Sequence, residues 1–479
     1  PKHFLKVSDQ GMKAGDFVMV AGYPGRTSRL DTYAEVMFDV EWVFPYTIQL
    51  LEERYAMLAK YLTAPGATAI KAGVAKQGIQ NGLEKTQGTL DGLKKGDLLQ
   101  RKKDLDAKVR AWLAQPGNEA MRDKVAKLDQ LIAAEQASAR VDFDRGLAFR
   151  GSRLLATAFQ MVRMAEERPK KDAKRKAGYQ DRDMPNMIGA QKAFARQYDR
   201  DLDRAGFRLA LVRAAQLPEK DRPWLNTILG IKKGTAVTEA VIDAALDKLY
   251  AGTKLEDEAV RLELLQKGTT AKLKGSKDPF IKLALALWPT FKAEEKKVDA
   301  RAGEMVLAEP AYGEAMRQVL NGALAPDANS TLRITYGTVK SFKPGSPVEA
   351  DWPFTTAAQI PKKDKGKEPF DAPKGLLDLI AKKRYGKYGD ASLGGEVAVN
   401  FLSDLDITGG NSGSAALNAK GELVGLAFDG TIEGVASDVV FDGRTTRTIA
   451  VDARYMLWVM DALDNADHVI KEMGLTPAL

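Results

Sequence analysis

Hydrophobic residues change their spacing twice along this chain. Near the start, "DFVMVAGYPGR" (residues 16–26) is an apolar, β-prone run closed by a turn signal at Pro24 and Gly25. The opening "PKHFLKV" also reads as strand-like. From about 32 to 325 apolar positions recur every three or four residues. In "IQLLEERYAMLAKYL", Ile48, Leu51, Tyr55, Leu58 and Leu62 share one helical face, and Leu105, Val109 and Trp112 repeat the spacing, as do Val125, Leu128 and Leu131. Pro65-Gly66 and Pro116-Gly117 are stop signals. No fixed-length repeat is visible. From about 328 the pattern returns to strands in "STLRITYGTVKSF", "EVAVNFLS", "ELVGLAFDG" and "TRTIAVDARY", and "YMLWVMDALDNADHVIKEM" closes the chain as helix.

The pattern predicts an α+β protein in which one β lobe is interrupted by a large helical insertion. The boundaries are 1–31 for the start of the β lobe, 32–327 for the inserted helical domain and 328–479 for the remainder. A chain of 479 residues exceeds one hydrophobic core, which agrees with two or more units. No apolar run approaches the roughly 20 residues of a membrane helix, and no membrane partner is expected. The net charge of +8 is mild for this length and does not point to nucleic acid; the basic run "RPKKDAKRK" (168–176) reads as a solvated helix end or loop. The absence of cysteine excludes disulfides, thiolate metal sites and a cysteine nucleophile. With two histidines and no carboxylate cluster at ligand spacing, neither a metal nor another cofactor is expected.

The chemistry concentrates in "TGGNSGSAALNAKGELVGLAFDG" (408–430). An acyl-transfer nucleophile needs a sharp turn, an exposed hydroxyl and neighbouring N–H groups aimed at the developing oxyanion. Ser412 among glycines meets the first need, and the N–H groups of Gly410 and Ser412 would form the oxyanion hole. A Gly-rich β-turn with a solvent-facing serine is the other reading of the pentapeptide. The turn and apolar strand that follow resemble the second barrel of a chymotrypsin-like protease. Such a serine requires a base, and the only histidines are His3 and His468. His3 lies in the strand-like opening and His468 on the polar part of the last helix, and both read as surface residues.

"GYPGR", "DITGGNSGS", "GELVGLAFDG" and "RTIAVDARYMLWVMD", with a helical insertion between them, make the chain similar to the bacterial serine dipeptidyl-peptidases of the seven and eleven type, which include dipeptidyl aminopeptidase BII. Two departures are Ala415 in place of the usual proline, and "TIEGV" after Gly430 in place of an Asn-Trp pair. The resemblance implies a chymotrypsin-like second β-barrel lobe carrying an α-helical insertion. It implies that the catalytic histidine and aspartate lie upstream of Pro1. The chain is then expected to be cut from a larger protein, to be inactive alone and to work with that missing N-terminal portion.

The resemblance further implies peptide substrates with a free N-terminus. The strand around Phe428 pairs with the substrate backbone, Asp429 receives the substrate ammonium, and Asn81 in "GIQNGLEKTQG" contacts the amine and backbone. Asp429 also reads as a turn aspartate with Gly430, and Asn81 as a helix-end residue before Gly82. A helical lid would supply the wall that limits the product to two residues. Gly430 occupies the position that separates the family's specificities: arginine there pairs with acidic side chains, whereas glycine leaves an open pocket for apolar or aromatic residues at the second substrate position. A turn needing positive φ is the alternative reading of Gly430. Asp406, six residues before Ser412, reads as structural, with an acidic pocket floor as the competing role. A homodimer and a periplasmic or secreted location are expected on the same basis. The competing functions are an endopeptidase related to the glutamyl endopeptidases and a non-catalytic helical module with a protease remnant.

Overall fold

The computed structural model describes residues 3–322, 324–342, 352–367 and 370–479. It resolves into two compact units, one of residues 1–40, 85–111 and 316–479, the other of 41–84 and 112–315. This division differs from the one that periodicity suggests, because 85–111 lies inside the long helical zone yet belongs with the strands. Periodicity reveals that a helix has an apolar face; it does not reveal which core that face joins.

In the first unit seven strands form one antiparallel sheet in the order β2-β1-β5-β6-β7-β4-β3. They are β1 (Phe17–Gly22), β2 (Arg333–Thr338), β3 (Phe354–Thr356), β4 (Ala398–Ser403), β5 (Ser414–Leu417), β6 (Leu423–Gly430) and β7 (Thr448–Asp452). The sheet is curled into a half-barrel. Alternation sets its inner face: Val18 and Val20 of β1 are fully buried and join Phe401, Ala416, Val424, Ala427 and Ala450 in one core. Register places Val20 opposite Ala416 and Ala427 opposite Ala450. Behind β4 and β7, the helix Ala453–Ala462 contributes Leu457 and Trp458 to a second cluster with Leu376, Ile380 and Tyr388. The predicted strand at "PKHFLKV" does not form. Among its described residues only Val7 makes a bridge, to Leu423, and regular pairing begins at Phe17. The predicted C-terminal helix is two helices, Ala453–Ala462 and Asp467–Glu472, separated where Asn465 takes a left-handed φ of 52°.

The helical zone begins as predicted after residue 32, for a local reason. Thr32 caps the helix Tyr33–Phe38, with Glu35 completing a reciprocal capping box. The helix Phe44–Ala59 ends six residues before Pro65, and its buried residues are Tyr46, Leu50 and Leu58, a rotation from the predicted face. Further along, Val125, Leu128 and Leu131 are buried as predicted on the helix Glu119–Arg150. The second unit's core runs from Ala148 to Trp288 and includes Phe149, Phe159, Phe207, Trp224 and Phe280. The basic run 168–176 is a short loop with a 3-10 turn at Asp172–Lys174, and its Arg175 pairs with Asp172 and Asp181. Among the described residues no helix is long and apolar enough to cross a membrane.

Candidate active site

Ser412 sits in the turn between Asp406 and β5, and three local features shape that turn. Gly410 has a φ of +108°. A Cβ at this position would stand 2.4 Å from the carbonyl oxygen of Tyr23 and 2.9 Å from the nitrogen of Gly25, so no larger residue fits. The "GYPG" segment after β1 is thus the floor of the serine turn, and Gly25 N–H donates to the Gly409 carbonyl at 2.6 Å. Asn411, buried, closes the turn by donating from its side-chain amide to the Thr408 carbonyl at 3.2 Å.

This packing leaves donors and hydroxyl outward. Ser412 is exposed, and its Oγ donates to the Phe428 carbonyl at 3.3 Å. The N–H groups of Gly410 and Ser412 donate to no protein acceptor among the described residues, whereas those of Asn411, Gly413 and Ser414 are taken by Thr408, Ala427 and Asn411. Two unengaged N–H groups beside an exposed hydroxyl are the parts an oxyanion site requires. The base is not among them. His3 and His468 are both exposed, and no imidazole is hydrogen-bonded to Ser412.

Opposite the serine lies the end of β6. Pairing with β5 stops at Ser414–Ala427, while pairing with β7 continues through Asp429–Ile449 and Gly430–Thr448 after a bulge at Phe428. Residues 428–430 therefore turn one edge away from β7 with no strand on it among the described residues, and Phe428 is 44% exposed. An open edge beside a nucleophile can accept an extended peptide as an added strand. Asp429 is exposed, accepts the Gly430 N–H at 2.8 Å, and pairs with no cation among the described residues. Gly430 is not among the positive-φ glycines, and a Cβ there would meet only the Arg447 carbonyl, at 3.6 Å. The positive-φ reading of this glycine is therefore wrong: the backbone tolerates a side chain.

Asn81 is exposed in the middle of the helix Ala67–Lys94, within the unit of residues 41–84 and 112–315, and accepts from Gln77 at 2.9 Å. Its reading as a helix-end residue fails, since Gly82 and twelve further residues continue the helix.

Asp406 is structural. Its carboxylate makes a bidentate pair with Arg29, at 2.5 and 2.8 Å, and Arg29 Nε donates to the Ser437 carbonyl at 2.7 Å. Burial works against the Arg29 charge, but Asp406 outweighs it and raises the arginine's pKa above its ordinary value. The guanidinium also lies 5.2 Å from the Phe441 ring centroid. One residue thus joins the start of the serine turn to the segment after β6. Asp327 holds Arg29 from behind by accepting its N–H at 2.9 Å, and Lys102 donates to its carbonyl at 2.7 Å. Sequence reading missed Arg29, and no signal marked it: its partner is 377 positions away among many charges. Arg29→Gln and Asp406→Asn are each expected to destabilise the protein by about 1–3 kcal/mol. The double variant should cost little more than the larger single one, because both remove the same contact. Urea unfolding of the four proteins in a double-mutant cycle measures this, and additive losses would mean the pair is not coupled.

An exposed serine with unengaged N–H donors, on a turn packed against an antiparallel half-barrel, is the arrangement in which serine hydrolases hold their nucleophile. The chain belongs to the peptidase S46 family, whose model matches residues 1–475. It is 36% identical to an Asp/Glu-specific dipeptidyl-peptidase of Shewanella putrefaciens, covering 99% of this chain and 67% of that protein. It is 28% identical to dipeptidyl-peptidase 7 of Capnocytophaga gingivalis, covering 99% and 65%. The chain thus spans about two thirds of the length of the curated relatives it matches. Its fold is similar to that of Porphyromonas endodontalis DPP11, solved in complex with the dipeptide Arg-Glu, with a TM-score of 0.76 at 23% identity over 99% of this chain and 67% of that one.

Proposed function

We propose that this chain is the nucleophile-bearing part of a serine dipeptidyl-peptidase that releases dipeptides from the N-termini of peptides. The observation that carries the reading is the juxtaposition at Ser412: an exposed hydroxyl, two unengaged N–H donors at Gly410 and Ser412, and the open edge of β6. Ser412 Oγ attacks the carbonyl carbon of the second residue as its proton passes to a base and on to the leaving amine of the third residue, the two N–H groups hold the oxyanion, water then releases the dipeptide from the acyl-serine, and Phe428–Gly430 pair with the substrate backbone. Asp429, with no cation of its own, receives the substrate ammonium. The half-barrel acts as the second lobe of a chymotrypsin-like pair. No imidazole is hydrogen-bonded to Ser412 among the described residues, so neither His3 nor His468 is proposed as the base.

The test is cleavage by the full-length protein of a peptide with a free amine and of its N-acetylated counterpart. A dipeptidyl-peptidase cuts only the first; equal cleavage of both would identify an endopeptidase instead.

The second substrate residue is apolar or aromatic in this proposal. Gly430 adds neither charge nor bulk, and its backbone does not demand glycine. Burying a large apolar side chain stabilises the complex by roughly 1.5–3 kcal/mol, whereas an acidic one loses hydration without a partner. The Asp/Glu-specific relative at 36% identity supports the opposite preference, so a dipeptidyl substrate panel is decisive. Phe, Tyr, Leu or Met at the second position should exceed Asp and Glu in kcat/KM by about tenfold or more. Gly430→Arg should reverse the order. A wild-type preference for Asp or Glu would remove this part of the proposal and leave the reaction class intact.

A further inference from the structure

The helical unit contains a cavity of about 1070 Å³ that the catalytic reading does not use. Its walls come from the end of the helix Glu119–Arg150, the helices Arg153–Glu167 and Met184–Gln197, and the middle of Pro279–Val319. The lining includes the rings of Phe149, Phe159, Trp288 and Phe291. Phe291 lies 4.9 Å from Phe159 and 5.3 Å from Trp288, centroid to centroid. Val298 lines it too and is 49% exposed.

The charges around these rings are not balanced. Four carboxylates line the cavity, and all four face cations of the same lining. Asp142 and Glu294 pair with Arg145 at 2.6 and 2.9 Å, Glu295 pairs with Arg163 at 2.8 Å and also with Lys176, and Asp299 lies 3.9 Å from Lys176. Arg150 and Arg153 line the same space and are exposed, and neither forms an ion pair with a carboxylate among the described residues, although the charge of Arg153 acts on buried Asp203 and its guanidinium lies 5.8 Å from the Phe194 ring centroid. They flank the turn at Gly151-Ser152. Arg153 donates to Gln197 at 2.6 Å, which holds its guanidinium at the cavity wall. The helix N-terminus beside it is already satisfied: Asp203 accepts the Arg153 N–H, and Ser152 accepts those of Leu154 and Leu155. An anion here would be held by the two guanidinium side chains.

We infer that this cavity is a binding site for an aromatic or large aliphatic carboxylate, of which the C-terminal residue of a peptide is the fitting form. The rings receive the side chain, and the planar guanidinium groups of Arg150 and Arg153 match a carboxylate in shape and charge. The site is independent of Ser412 and of the reaction proposed for it.

The experiment is calorimetric titration of the Ser412→Ala protein with N-acetylphenylalanine, a probe with no free amine. Saturable binding of one molecule at millimolar concentration is expected, weakening as salt is raised because both arginines are exposed. N-acetylphenylalaninamide, which lacks the carboxylate, should bind at least about tenfold more weakly. The Arg150→Gln/Arg153→Gln double variant should lose a similar factor for the acid and no longer distinguish acid from amide. Its thermal midpoint should fall only slightly, since both side chains are exposed and Arg153 gives up only its bond to Gln197 and its place over the Phe194 ring. No saturable heat, equal affinity for acid and amide, or wild-type affinity in the double variant would each overturn the inference.

Discussion

Ser412→Ala is expected to lower kcat of the full-length protein on a dipeptidyl substrate by about 10⁶-fold, the scale of losing a hydrolase's nucleophile. The residual rate comes from oxyanion stabilisation and substrate binding, which the variant retains. The change should be nearly silent in stability, within about 0.5 kcal/mol, because the hydroxyl is exposed and its bond to the Phe428 carbonyl is long at 3.3 Å. The contrast between a lost rate and an unchanged unfolding midpoint identifies a chemical role. Steady-state kinetics and thermal unfolding on the same preparation measure both. A variant that keeps more than about a hundredth of the activity would assign the nucleophile elsewhere.

Gly410→Ala carries the second largest effect. The residue combines a φ of +108° with a Cβ position 2.4 Å from the Tyr23 carbonyl. Both neighbours are backbone atoms of the "GYPG" segment, so neither rotates away. The turn must shift, and the Gly410 N–H shifts with it. Loss of one oxyanion donor costs about 10²–10³-fold in kcat, and a non-glycine residue held in this region costs about 1–3 kcal/mol of stability. KM should change little, because the donor acts on charge that develops after binding. Gly430→Ala is the control: its site is roomy and its φ ordinary, so stability should hold. A Gly410→Ala enzyme with near wild-type kcat would mean that this N–H does not face the oxyanion.

The serine turn was legible because its physics is local. Glycine at 410 and 413, a serine between them and an apolar strand after them specify a tight exposed turn within a few residues. The strands around it were legible for the same reason: the apolar, β-prone runs at 16–22 and 422–430 are properties of each segment alone. The start of the helical zone near residue 32 was legible from periodicity, and the structure adds the capping box of Thr32 and Glu35 that fixes it.

What lay beyond the sequence is whatever depends on which surfaces meet. Residues 85–111 show a helical period, but only the folded chain joins them to the strand-bearing unit, where Lys85 meets Asp438 at 3.0 Å and Arg444 meets Asp97 at 2.7 Å. The Arg29–Asp406 pair could not be chosen from among so many charges, since Coulomb attraction depends on distance in space and not on separation along the chain. That β5 stops at Ser414 and leaves one edge of residues 428–430 open was equally invisible, because an unpaired edge is defined by the strand that is absent. Periodicity and turn chemistry, being short-range, determined the elements and the serine that stands out among them. The pairing of remote side chains, the open edge and the arginine-flanked cavity arose only when long-range packing set those elements against one another.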